Sequence, residues 1–156
     1  MPKQDEYMSA AIAQARAAAA EGEIPVGCVV VDPDGKIIGR GRNRRENNHD
    51  AAAHAELEAI REAGEARGGW RLDGCDIYVT LEPCPMCAGA IINARISRVY
   101  YGAREPVSGA CGSVINLFME YPNDAAITGG VLETQCRAEL EAFFASRRAA
   151  ASAPFK

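Results

Sequence analysis

The sequence predicts a three-layer α/β/α sandwich whose five-stranded sheet is mixed rather than purely parallel. Segments with a strand pattern alternate with segments with a helix pattern, an order typical of a sheet covered by helices on both faces. The first two predicted strands are joined by Asp32-Pro33-Asp34-Gly35, a strong turn sequence that favours an antiparallel hairpin. An antiparallel hairpin within an alternating α/β chain makes the sheet mixed.

The first half of the chain predicts a helix, the hairpin and a second helix. Apolar residues recur at helical spacing within 4–21, which predicts an amphipathic first helix. The β-branched run 26–31 and the segment 36–43 are predicted to be the hairpin strands. Asp50 is a favourable N-cap for a helix over 51–67, which ends at a pair of glycines.

The second half predicts three further strands and three helices. A strand over 76–81 is followed by a helix that begins at Pro85, a residue suited to a first helical turn. In the last helix we expect Leu140, Phe143 and Phe144 to face inward. The remaining elements are predicted at 98–102 (strand), 113–119 (short helix), 126–132 (weak strand) and 133–148 (last helix).

Length and composition indicate a globular protein. The chain has 156 residues, of which 48% are apolar and 24% charged, and these values suit one domain with a sizeable core. No apolar run approaches the roughly 18 residues of a membrane span, and the polar N-terminus lacks the pattern of a secretory signal. We therefore expect a cytoplasmic protein with one domain over 1–148 and a flexible C-terminal tail over 149–156.

The six cysteines predict metal or redox chemistry rather than a disulfide framework. Cys28, Cys75 and Cys136 lie in apolar or amphipathic runs and are predicted to be buried. Cys84 and Cys87 form a C-x-x-C at the start of a predicted helix, where the positive helix end favours thiolates. That motif alone is equally typical of a redox dithiol or half of a structural zinc site.

His54 completes a three-ligand zinc set with Cys84 and Cys87. Catalytic zinc sites use three protein ligands and leave the fourth position to water, whose pKa the metal lowers towards neutrality. Glu56 follows His54 by two residues in a predicted helix, so the two side chains should point to different sides and Glu56 should stay off the metal. A carboxylate near the activated water is suited to accept and deliver its proton.

Two other residues offer alternative metal ligands. Cys111 lies in a glycine-containing segment and would make a structural site with four ligands, although such a site leaves Glu56 without a role. His49 lies in a polar loop, where a solvated side chain is the simpler interpretation.

A basic stretch precedes the second predicted helix although the net charge of the chain is −4. One interpretation is a charged strand edge that resists pairing with another sheet. The other is a patch that contacts phosphates. The stretch contains no acidic residue, and its basic residues are Lys36, Arg40, Arg42, Arg44 and Arg45.

His54-Ala55-Glu56, followed by Pro83-Cys84-Pro85-Met86-Cys87, resembles the His-x-Glu and Pro-Cys-x-x-Cys signature of the zinc-dependent nucleobase deaminases, the cytidine/deoxycytidylate deaminase superfamily. Nearly the whole chain also looks like the bacterial tRNA-specific adenosine deaminases. The blocks that carry this second resemblance are 23–27, 41–44, 69–72, 78–90, 95–103 and 112–117.

The resemblance implies a cytidine deaminase-like fold and hydrolytic deamination of adenosine to inosine at the wobble position of a tRNA anticodon. It implies that water activated by zinc attacks the base while Glu56 shuttles the proton. It further implies a homodimer with one Zn²⁺ per subunit and the tRNA anticodon arm as partner. Asn43 matches the base-contacting asparagine of the family, whose amide both donates and accepts hydrogen bonds.

Two departures from the family pattern concern the substrate. Ala51 and Ala52 stand where the family usually has Pro-Thr, and Asp124 stands where a histidine is expected. A carboxylate facing RNA phosphates is repelled by them. A free nucleobase or nucleoside, such as guanine or cytosine, is therefore an alternative substrate. A zinc-stabilised binding module without catalysis is the third interpretation.

Overall fold

The computed structural model describes residues 3–151, and helices and strands alternate in the predicted order. The strand and helix boundaries fix where each candidate site residue lies. The elements are α1 (Lys3–Ala20), β1 (Gly27–Val31), β2 (Ile37–Arg42), α2 (Ala55–Arg67), β3 (Asp76–Leu81), α3 (Pro85–Ala94), β4 (Arg98–Ala103), α4 (Leu117–Glu120), β5 (Ala126–Thr128) and α5 (Glu133–Ala151).

The five strands form one sheet in the order β2-β1-β3-β4-β5. Strand β1 is antiparallel to both β2 and β3, whereas β3, β4 and β5 are parallel to one another. The predicted mixed sheet is therefore confirmed. Every residue of β1 is buried, as expected for a central strand that is covered on both faces.

Helices cover both faces of the sheet, which confirms the three-layer α/β/α prediction. On one face α2 and α3 contribute residues such as Ala59 and Ile91 to the buried cluster. On the other face α1 and α5 contribute Met8 and Cys136. The predicted burial of Cys28, Cys75 and Cys136 is also confirmed.

Two glycines of β2 allow α2 to lie directly against the sheet. A Cβ atom at Gly39 would lie 2.2 Å from the carbonyl oxygen of Ala59, and one at Gly41 would lie 2.1 Å from that of Ala55. Only glycine fits at such a close approach. Because Ala55 is the first residue of α2, this contact fixes the start of the helix and places His54 immediately before it.

Three predicted boundaries were wrong by four residues each. Helix α2 begins at Ala55 instead of residue 51, because the Asp50 carboxylate accepts the N–H of Ala52 at 2.8 Å in a turn that precedes the helix. The short helix α4 begins later than predicted, because the amides of Val114 and Ile115 are turned towards the carbonyl oxygen of Gly109. Strand β5 ends at residue 128 rather than 132.

Helix α5 continues to Ala151, three residues into the segment predicted as a flexible tail, and residues 152–156 lie outside the described part of the chain. Leu140 and Phe143 are half-buried as expected for inward positions. The inward prediction for Phe144 was wrong, since its side chain is 42% exposed. The assignment of 1–148 to a single domain stays a prediction. Within residues 3–151, no helix has the length and apolar character needed to cross a membrane.

Candidate active site

Two helix starts bring His54, Cys84 and Cys87 together. His54 is the N-cap of α2, Cys84 is the N-cap of α3, and Cys87 lies in the first turn of α3. The His54 Nδ1 atom lies 3.6 Å from the Cys84 Sγ atom and 3.5 Å from the Cys87 Sγ atom. The potential ligand atoms of all three residues lie within 4.8 Å of one another. One metal ion could therefore be held by all three.

The chemistry of these donors suits zinc. Two sulfurs and one imidazole nitrogen are the ligands that Zn²⁺ prefers, and a set of three is typical of catalytic rather than structural sites. A hydrogen bond from Cys87 lowers the pKa of the Cys84 thiol to about 4, with a smaller contribution from His54. Hydrogen bonding to Cys84 in turn raises the pKa of His54. The cluster thus provides a thiolate for a cation.

The alternative ligands are not part of this cluster. Among residues 3–151, the group of histidine, cysteine and acidic side chains that could hold an ion comprises His54, Cys84 and Cys87 and does not extend to Cys111. Cys111 is buried, and burial raises the pKa of its thiol to about 12. His49 is exposed in the loop after β2, as expected for a solvated side chain.

Glu56 lies in the first turn of α2, two residues after His54. Its side chain is only 4% exposed, and it contributes to the wall of the same cavity as His54 and Cys84. Burial raises the pKa of the Glu56 carboxyl to about 7, although its backbone hydrogen bond and the charge of His54 oppose this rise. A carboxyl group that titrates near neutral pH can both accept and release a proton during a reaction.

A cavity of about 360 Å³ opens over the cluster. This volume lies in the range of small-molecule sites, which is about 300–1,000 Å³. The loop after β2, the starts of α2 and α3, the segment after β4, and α5 all contribute to its wall. Its lining includes Asn43, Arg45, Glu56, Arg104, Ser108 and Phe144.

Asn43 lies in the cavity wall directly after β2 and is 8% exposed. Its Nδ2 atom donates a hydrogen bond to the carbonyl oxygen of Ile24 at 3.2 Å, and its Oδ1 atom accepts one from the N–H of Arg45 at 3.1 Å. A carboxamide has two N–H donors and two acceptor lone pairs. One donor and one acceptor position therefore remain for another partner.

The two departures noted in the sequence lie outside the cavity wall. Ala51 and Ala52 belong to the turn that precedes His54 and are not among the lining residues. Asp124 lines a separate cleft together with Arg71 and Arg95. Neither departure from the family pattern therefore affects a residue that lines the cavity.

The basic stretch before α2 divides into residues with different surroundings. Arg42 and Arg44 each form an ion pair with a glutamate. Arg45 lines the cavity, and Arg40 is exposed on the edge strand β2. Arg40 thus lies at a sheet edge, as in the first interpretation, and the phosphate contact of the second interpretation stays a prediction.

Sequence reasoning missed two buried carboxylates that hold the loops around the cavity. Glu23 is 1% exposed and accepts the backbone N–H groups of Glu46 and Asn47 at 3.0 and 2.8 Å. Glu82 is 2% exposed and holds the segment after β4. For Glu82, the only sequence signal of such a role was a charged residue at the end of an apolar strand, directly before Pro83.

Comparisons with known proteins agree with this geometry. Residues 1–103 match the family described as the cytidine and deoxycytidylate deaminase zinc-binding region. The tRNA-specific adenosine deaminase of Bacillus subtilis is 47% identical over 148 residues, which cover 93% of this chain and 91% of that protein.

Solved structures show the same fold. A structure from a study of A-to-I editing by tRNA:A34 deaminases has a TM-score of 0.83 and 43% identity, covering 86% of this chain and 99% of that one. A guanine deaminase from Bacillus subtilis has a TM-score of 0.60 and 42% identity, over 64% of this chain and 63% of that one. The chain therefore belongs to the zinc-binding cytidine and deoxycytidylate deaminase family.

Proposed function

We propose that this protein is a zinc-dependent hydrolase that converts adenosine to inosine at the wobble position of a tRNA anticodon. The observation that carries the proposal is that three potential metal ligands meet, and that two of them, His54 and Cys84, line one cavity together with the buried Glu56. The relatives named tRNA-specific adenosine deaminase support the choice of substrate, because their similarity extends over nearly the whole chain.

His54, Cys84 and Cys87 would hold the metal. When bound, zinc lowers the pKa of water and so supplies a nucleophile near neutral pH. Glu56 accepts the proton that the attacking water loses and delivers it to the amino nitrogen at C6 of the base. Water and adenosine are thereby converted to inosine and ammonia. The burial of Glu56 keeps bulk solvent from competing for this proton.

Asn43 would bind the base through the parts of its amide that the fold leaves free. Its partners within the protein occupy one N–H and one lone pair, so the remaining N–H and lone pair can face a purine edge. Arg45 and Arg104 line the cavity from two different segments of the chain. We assign them to the phosphates of the nucleotides that flank the base, since an extruded base carries its backbone to the mouth of the pocket.

A free nucleobase is the second candidate substrate. The likeness to a guanine deaminase favours it, and the cavity volume of about 360 Å³ suits a free base. The replacement of Pro-Thr by Ala51-Ala52 also distinguishes this chain from the tRNA-acting family pattern.

A substrate panel separates these candidates. An anticodon stem-loop with adenosine at the wobble position is compared with guanine, adenine, cytosine and cytidine, and released ammonia is measured. The matched control is the same stem-loop with guanosine at that position. Inosine formation from the adenosine stem-loop alone is expected, whereas ammonia from a free base alone would transfer the proposal to that base.

We also assign a homodimer. Apolar side chains lie exposed on and beside α3 and α4, among them Trp70 at 61%, Met86 at 39% and Met119 at 80%. Exposed apolar surface of this kind marks protein interfaces. Sedimentation at micromolar concentration should give twice the monomer mass of 16.6 kDa; a single monomeric species would contradict the assignment.

A cytoplasmic location fits the cysteines. All six are free thiols in the fold, including the pair that would bind metal. Such thiols stay reduced in the cytoplasm, whereas oxidising compartments favour disulfides. Fractionation of cells that express the tagged chain should recover it with the cytoplasmic proteins, and recovery in a membrane or extracellular fraction would contradict this location.

A further inference from the structure

Glu82 is a buried carboxylate that the proposed chemistry does not use. It follows β3, and the segment 104–113 passes around it after β4. Its Oε1 atom accepts the N–H of Glu105 at 3.1 Å and the hydroxyl of Ser113. Its Oε2 atom accepts the N–H of Cys111 at 2.9 Å and that of Ser113 at 3.1 Å. One side chain thus accepts four hydrogen bonds from a single segment.

The segment 104–113 depends on these bonds because it lies between β4 and α4 and belongs to no strand or helix. Backbone N–H groups buried without a partner are costly. Glu105 accepts the N–H groups of Val107 and Gly109 within the segment, but other amides of the segment find their acceptors outside it. Besides Glu82, the carbonyl oxygen of Pro83 accepts the N–H of Ala110 at 2.8 Å. At Gly109 a Cβ atom would lie 2.6 Å from the Glu82 Cδ atom, which shows how closely the segment wraps the carboxylate.

The same segment forms one wall of the catalytic cavity. Four of its residues, namely Arg104, Glu105, Pro106 and Ser108, line that cavity. Glu105 lines the cavity, and its backbone N–H donates a hydrogen bond to the Glu82 Oε1 atom. The hydrogen bonds of Glu82 therefore end directly on the wall that a bound substrate would contact.

We infer that Glu82 is a positioning residue, which holds the segment 104–113 as a preformed wall for the substrate. The inference deepens the proposed function and rests on it for its kinetic consequence. None of the four hydrogen bonds of Glu82 involves Glu56 or the cluster of His54, Cys84 and Cys87. Its loss should therefore weaken substrate binding, since binding must then order the segment, while the chemical step is largely retained.

Glu82→Gln is the sharpest variant because it keeps the shape of the side chain. With its oxygen at the Oε2 position, glutamine still accepts the amides of Cys111 and Ser113, and its NH₂ group can donate to the Ser113 hydroxyl. It cannot accept the N–H of Glu105, so the segment is released at that lining residue. Ser113→Ala is a milder second variant that removes only the hydroxyl bond.

Asp32→Asn is the matched control. The Asp32 carboxylate also accepts two backbone N–H groups, those of Asp34 and Lys36 at 3.0 and 2.9 Å. These bonds hold the turn between β1 and β2, and none of residues 32–36 of that turn is among the residues that line the cavity. This exchange of carboxylate for carboxamide should leave kinetics with the stem-loop unchanged.

The experiment combines kinetics on the adenosine stem-loop with amide hydrogen exchange of the zinc-loaded protein. For Glu82→Gln we expect KM to rise about ten-fold, kcat per zinc to stay within about two-fold, and exchange over 104–113 to accelerate about ten-fold. Exchange in α1 should not change. Ser113→Ala should shift KM and exchange in the same direction by a smaller factor.

A fall in kcat at unchanged KM, or unaltered exchange over 104–113 in both variants, would overturn the inference. Failure of the proposed function has a different signature: the wild-type protein itself would not deaminate the stem-loop. In that case the exchange data, together with KM for whichever free base is turned over, decide the positioning role on their own. Neither outcome can be mistaken for the other.

Discussion

Glu56 and Glu82 both border the catalytic cavity and are almost fully buried, at 4% and 2% exposure, yet their surroundings differ. Glu82 accepts four hydrogen bonds, which outweigh the effect of burial and leave the pKa of its carboxyl lowered. Burial dominates at Glu56 and raises its pKa to about 7. The hydrogen-bond donors around Glu82 thus help to distinguish the carboxylate that holds a wall from the one suited to exchange a proton.

The largest effect is expected when Glu56, rather than Glu82, is replaced by glutamine. Glu56→Gln removes the group that would carry the proton, so kcat should fall by about two to four orders of magnitude. Zinc content should remain that of the wild type, because Glu56 is not part of the group that could hold the metal. Ammonia release and metal analysis on one sample test this, and near-normal turnover would exclude Glu56 as the proton carrier.

Asn43→Ala extends the comparison to a side chain that forms hydrogen bonds within the protein and, by our proposal, also binds the base. Loss of a base contact should lower kcat/KM for the stem-loop by about ten-fold or more. Because Asn43 also bonds Ile24 and Arg45, a modest decrease in melting temperature is expected as well. Unchanged kcat/KM in a zinc-loaded variant would remove Asn43 from the substrate site.

The smallest effects are expected at neighbouring arginines with different surroundings. Arg45→Ala should weaken stem-loop binding several-fold and reduce the salt dependence of binding by about one in log–log slope, as for a lost phosphate contact. Arg44 is instead paired with Glu58 at 2.8 Å. Arg44→Ala should cost about 0.2–1 kcal/mol of stability with little change in that slope, and equal slopes in both variants would contradict the phosphate assignment to Arg45.

The candidate metal ligands and the order of the elements could be predicted from the sequence because each depends on a local pattern. Cys84 and Cys87 are three residues apart at a helix start, and His54 was the natural third ligand beside Glu56. The strands and helices followed from runs of apolar residues and from turn residues such as Gly35.

What sequence could not supply depends on contacts between distant segments. The residues that donate hydrogen bonds to Glu82 lie 23 to 31 positions further along the chain. No local sequence pattern indicates which backbone amides will donate to a distant carboxylate. The start of α2 was misplaced because Asp50 caps a turn instead of the helix. Phe144 has an apolar side chain but lies at the partly exposed cavity edge, a position that helical periodicity alone does not reveal.

Metal analysis of the purified protein, coupled to its ammonia release, tests the whole account most directly. We expect one zinc per chain in the wild type, and loss of both zinc and turnover in Cys87→Ala, because the remaining His54 and Cys84 offer only two ligands. Wild-type protein that releases ammonia at full rate without stoichiometric zinc or a substitute divalent metal, or a Cys87→Ala variant that stays fully loaded and active, would contradict it.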